Sequence, residues 1–85
     1  MFLDEMIEKA YQDNINDKTH AAVAAVSVAI KAIPKNPTVN DYKHAHYAWR
    51  AFARRHSETI SPDGFKNTLI KLAPEHKNYI ESMLK

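Results

Sequence analysis

The chain has no cysteine and a single glycine among its 85 residues. Without cysteine there is no disulfide framework, no thiolate metal ligand and no thiol nucleophile. Nothing then requires an oxidising compartment, so a cytoplasmic location is expected. One glycine is far below ordinary usage, and the Asn-Gly or Asp-Gly turns that join alternating apolar runs into hairpins are missing. The one Asp-Gly, at 63–64, follows Ser-Pro and precedes a helical pattern. A glycine-rich phosphate loop is lacking too. No stretch reaches the ~18 uninterrupted apolar residues of a membrane span. The longest candidate, 21–33, is rich in alanine and broken by Ser27 and Lys31. Acids at positions 4, 5 and 8 stand where a signal peptide carries basic residues, so no leader is expected.

Apolar residues at three- and four-residue spacing fill the rest, which predicts an all-α fold. The expectation is one domain over residues 1–85, a compact bundle of four to five short helices with short loops. Helix 1 is predicted over about 2–14, with Leu3, Met6, Ile7 and Ala10 on its buried face. Helix 2 runs over about 18–33, capped by Asn16 or Asp17. Val23, Val26, Ile30 and Ile33 form a seam on it, and alanines make most of the remainder apolar. Only His20, Ala24, Ser27 and Lys31 read as a wet stripe. A helix apolar on nearly every side is expected at the centre of the bundle, or else to carry a homodimer face at Val23, Val26, Ile30 and Ile33. "PKNP" at 34–37 ends it, and Thr38 with Asp41 reads as a capping box opening helix 3, about 39–57. "SPDG" at 61–64 opens helix 4, with Ser61 as cap and Pro62 as first helical residue. Phe65, Leu69 and Leu72 are its inward set. Pro74 breaks the chain and opens a short helix 5, with Ile80, Met83 and Leu84 inward.

The net charge of +2 is unevenly spread. Residues 1–17 carry five acids and one lysine, residues 18–57 seven Lys/Arg against Asp41 alone, and residues 58–85 four of each sign. A basic middle therefore follows an acidic start. It is either partly neutralised by helix 1 or offered to an anionic partner.

The basic middle culminates in "KHAHYAWRAFARRH", residues 43–56, which holds all three arginines of the chain and no acid. Helical spacing splits it by face. Tyr42, Ala45, Trp49, Phe52, Ala53 and His56 share one side, with Trp49 and Phe52 as the anchors expected against helix 2. Lys43, Tyr47, Arg50 and Arg54 share another over about 16 Å, with His44 and Arg55 further round. That stripe is the candidate site for a protein partner or a nucleic acid. Arg offers planar multi-donor geometry, and Arg and Tyr are enriched at interface hot spots. Three arginines and a pI of about 8.9 are modest for a dedicated nucleic-acid binder. A solvated helix back, or ion pairs to the first helix, is the plainer reading.

Five histidines raise the question of a metal. His44 and His46 point about 200° apart on a helix, and no i, i+4 ligand pair such as His-Glu-x-x-His exists. No metal and no cofactor are expected. His56, at a helix end, is expected to support the terminal carbonyls. Ser27, Ser57, Ser61 and Ser82 lack any activating motif, and paired carboxylates are confined to helix 1, so no enzymatic activity is expected.

"SPDGFKNTLIKLAPEHKNYIESMLK" at 61–85, with "VSVAIK" at 26–31, resembles the small all-helical phage anti-sigma factors. The shared features are one Phe, helix-core aliphatics and scattered charges. Any small helical bundle supplies these, so no activity or residue role carries over. The resemblance agrees with a phage- or plasmid-borne regulator that inhibits or controls a larger partner by direct docking. A DNA- or RNA-binding module using residues 43–55 is the alternative, and a subunit of a larger assembly is the third. No membrane partner is expected.

Overall fold

Each of the three best-defined helix starts lies where a side chain accepts from otherwise unpaired amides. The computed structural model describes residues 2–61 and 63–83, with Met83 as backbone alone. Asp17 caps the second helix by accepting from the Thr19 and His20 amides at 3.1 and 3.2 Å. Thr38 and Asp41 form the expected capping box: the Asp41 amide donates to Thr38 Oγ1 at 3.3 Å, and the Thr38 amide to Asp41 Oδ2 at 2.8 Å. Ser61 Oγ accepts from the Asp63 amide at 3.3 Å. The elements that follow are α1 Leu3–Asp13, α2 Lys18–Lys31, α3 Val39–Arg55 and α4 Asp63–Leu72. A 3-10 turn, Pro74–His76, then leads into α5, Lys77–Met83. Over the described residues the fold is an all-α bundle of five short helices. The roles expected of Pro62, Leu84 and the Met83 side chain lie outside the described residues.

The long third helix is the hub, touching α1, α2, α4 and α5. Its buried face is the expected one: Tyr42, Ala45, Trp49, Phe52 and Ala53 are all almost fully enclosed. Trp49 and Phe52 lie 5.2 Å apart by ring centroid, and Tyr11 meets Phe52 edge-on at 5.3 Å. Phe65 stacks on Trp49 from α4 at 6.2 Å. Ile7, Ile60, Leu69 and Ile80 close the same cluster.

Four expectations are corrected. On α1, Met6 is 44% exposed, and Tyr11, one turn after Ile7, is buried in its place. Tyr11 keeps the four-residue spacing from Ile7, whereas Met6 falls about 100° to the side. On α2, the fully buried residues are Ala21, Ala25 and Ala29. Val26, Ile30 and Ile33 are half-buried, and Val23 is 58% exposed. Alanines at i, i+4 and i+8 let the backbone of α2 approach its neighbours closely, which moves the larger side chains to the flanks. Helix 2 packs on α1, α3 and α4 but is not buried all round. Of its expected wet stripe, His20 and Lys31 are exposed while Ala24 and Ser27 are half-buried. On α4, Leu72, the last residue of the helix, is 64% exposed. His56, finally, meets the terminal Ala53 carbonyl through its backbone amide at 3.1 Å, while its side chain pairs with a carboxylate, as described below.

Candidate functional site

The capping box fixes where α3 begins, and Trp49 and Phe52 fix its rotation. These two constraints place Lys43, Tyr47, Arg50 and Arg54 on a ridge about 140° from the buried face. All four are exposed, Tyr47 by 61%. Among the described residues none of them makes an ion pair or a side-chain hydrogen bond. The ridge therefore presents three cationic groups and a phenol to the surroundings with their donors unspent.

Arg55 does not belong to this ridge. One residue further on, its side chain turns about 100° toward α1. Its Nε donates to Glu8 Oε1 at 3.0 Å, and its Nη1 lies 3.6 Å from Asp4 Oδ2. His56 Nε2 reaches both Glu8 oxygens, at 2.9 and 2.8 Å. An ionised carboxylate only accepts, so His56 Nε2 donates. Burial by itself raises the Glu8 carboxyl. Hydrogen bonds from Gln12, His56 and Arg55 outweigh it and hold Glu8 below the usual carboxylate range. The acidic first helix thus neutralises the C-terminal end of α3 and leaves the ridge alone.

A shallow groove of about 260 Å³ runs beside the ridge, where the start of α1 meets α3. It is lined by Phe2, 75% exposed, with Leu3 and Asp4, and by His44, Tyr47, Ala48 and Ala51 of α3. Sequence reasoning missed Phe2. Its only signal is that Ala48 and Ala51 leave space on α3 between Tyr47 and whatever packs beyond.

The histidines separate as their spacing requires. His44 stays exposed at the groove, while His46 turns inward to lie 6.2 Å from Phe65. Burial, and then the nearby Arg50 charge, pull the His46 imidazole below its ordinary value. Its Nδ1 is buried without a protein partner among the described residues, as is Trp49 Nε1. His76 Nδ1 lies 3.3 Å from the Tyr42 hydroxyl. Burial, then Tyr79 and Glu75, raise the Tyr42 phenol above its usual range. Among the described residues no three His, Asp or Glu side chains converge as a metal site.

Three of the four residues expected as a self-association face come together differently. Val23, Val26 and Ile30 line one side of an open, mostly apolar groove of about 400 Å³, with Gly64, Thr68 and Leu72 of α4 opposite. Ile33 lies past its end, beside Pro34, Pro37 and Tyr42.

Among the described residues no helix is long and apolar enough to cross a membrane. Compared with known proteins, the chain matches no family model, no curated protein and no solved structure.

Proposed function

We propose that this chain is a small non-enzymatic docking protein that regulates or inhibits a larger protein partner in the cytoplasm, using the α3 ridge as its contact. One observation carries the reading. Among the described residues, Lys43, Tyr47, Arg50 and Arg54 are exposed and have no ion-pair partner along one helix face, while the adjacent Arg55 and His56 are already engaged by α1. A partner with carboxylates spaced along about 16 Å would meet all three cations. Phe2 and Tyr47 add exposed aromatic surface at one edge, the kind of anchor that concentrates binding energy.

The test is affinity capture from the native cell with the wild-type chain and with an Arg50→Glu, Arg54→Glu double variant. A protein retained by the wild type, lost by the variant and insensitive to nuclease supports the reading. Capture that disappears with nuclease, and whose affinity falls by orders of magnitude over a few-fold rise in salt, assigns the ridge to DNA or RNA phosphates instead. The same cationic row would make the phosphate contacts of that second reading. A variant that captures the same partner as the wild type removes the ridge from the site.

A further inference from the structure

We infer that the groove between α2 and α4 is a second docking site, separate from the α3 ridge, built for an amphipathic helix of another protein whose polar edges are acidic. The walls are apolar where they meet: Val26 and Ile30 on one side, Leu72 on the other, with Val23 at the open edge. Val23 and Leu72 are 58% and 64% exposed, a large apolar area for side chains on ordered helices. From Ala22 to Lys31 and from Gly64 to Leu72 the walls run about 12–14 Å at 1.5 Å per residue. That length takes apolar side chains at i, i+4 and i+7 of a helix laid along it.

Gly64 supplies an independent observation. It is the sole glycine of the chain and it lies in the first turn of α4. No conformational need explains it, since its φ is not positive. No packing need explains it either, since a Cβ placed there meets nothing within 4 Å. What the missing side chain does is leave the groove open at the start of α4.

Charge selects the occupant. Lys31 is the one charged residue among those lining the groove. On the opposite rim Lys71 projects about 60° outward from the helix face shared by Gly64, Thr68 and Leu72, and it is exposed. No acid lines the groove. A two-fold dimer through this face would gather two Lys31 and two Lys71 in one interface, against the Glu75 of each copy in the adjoining cleft that shares Ile30 and Leu72. A helix with glutamates flanking its apolar row satisfies both rims.

The experiment uses the full chain, labelled with 15N, and a 16-residue helical peptide carrying Leu at i, i+4 and i+7 flanked by Glu. Two controls share its length: one has Lys in place of Glu, and one keeps the composition but scatters the leucines round the helix. The expected result is amide shifts centred on Val23, Val26, Ile30, Gly64 and Thr68, with the Lys and scattered peptides at least tenfold weaker. Val23→Glu with Leu72→Glu should abolish binding without loss of helicity, because both residues are largely exposed. Gly64→Leu should block the peptide at the groove's open end while leaving the melting temperature unchanged or higher. Shifts elsewhere, equal binding of the Lys peptide, or undiminished binding to Gly64→Leu would each overturn the inference. So would concentration-dependent shifts of the same residues with no peptide present, which would assign the groove to a second copy of the chain.

Discussion

Arg54 and Arg55 are neighbours with opposite fates, and the difference is one helical step. Arg54 points to solvent and meets nothing among the described residues; Arg55 is held at 3.0 Å by Glu8. Replacing Arg54 with Ala should therefore leave the chemical denaturation midpoint unchanged. Arg55→Ala should lower stability by about 1 kcal/mol, the upper end for a pair that is still partly exposed. Equal effects from both would show that Arg55 is not engaged by α1. Trp49 lies at the other extreme, at 1% exposure against Phe52 and Phe65. Trp49→Ala should cost roughly 3–5 kcal/mol. That is a large part of the 4–13 kcal/mol on the order of which an 85-residue fold is stable. The folded protein's Trp49 emission should be blue-shifted and move red on unfolding; emission near that of free tryptophan in the native state would contradict this core. The Trp49 and Phe52 roles were legible in the sequence because spacing alone separates the faces of an isolated helix. Arg55's role was not, because it depends on where another helix lies.

Among the elements, α3 and α2 show how far local signals reach. The capping box at Thr38 and Asp41 was readable because its partners are three residues apart. Thr38→Ala should cost about 1 kcal/mol, measured as a shift in urea midpoint at constant slope. On α2 the seam of Val23, Val26, Ile30 and Ile33 looked like the core because those side chains are the largest. The tertiary structure instead buries Ala21, Ala25 and Ala29, since close backbone approach demands small residues. The consequence is a paired expectation. Ala25→Leu should overpack the helix contact and cost about 1–3 kcal/mol, whereas Val23→Ala should have almost no effect. The opposite ranking would restore the seam. Ile30→Ala should cost less than the 2–5 kcal/mol typical of a fully buried aliphatic, since Ile30 is only half-buried.

Across the whole molecule, three perturbed groups set the pH dependence of stability. His46 is held neutral in the fold, its value below the ordinary ~6.5. The unfolded chain takes up that proton first, so stability is full above about pH 6.5 and falls as pH drops toward the folded value. Glu8 is also lowered, so its contribution is present above the ordinary ~4.3 and lost as pH falls through its folded value. Tyr42 is raised, so its contribution holds below about pH 10 and disappears as pH climbs past it. Urea midpoints measured from pH 3 to 11 should form a plateau between roughly 6.5 and 10, with a two-stage decline on the acid side. His46→Gln should remove the first stage and Glu8→Gln the second. A midpoint that rises on going from pH 7 to 5.5 would contradict a buried neutral His46.

The sequence by itself determined the helical class, the capped starts of α2 and α3 and the division of residues 43–54 into a buried and an exposed face. All of these depend on spacings within a few residues, where 3.6-fold periodicity and side-chain-to-amide geometry act without outside help. Only the tertiary structure decided that α1 engages Arg55 and His56 but not Arg50 and Arg54. Only it decided that alanines rather than valines and isoleucines fill the close contacts of α2, and that Val23 and Leu72 line one groove. Those outcomes depend on the distance between helix axes and on the angle at which each neighbour arrives. Neither is encoded in the periodicity of any one segment.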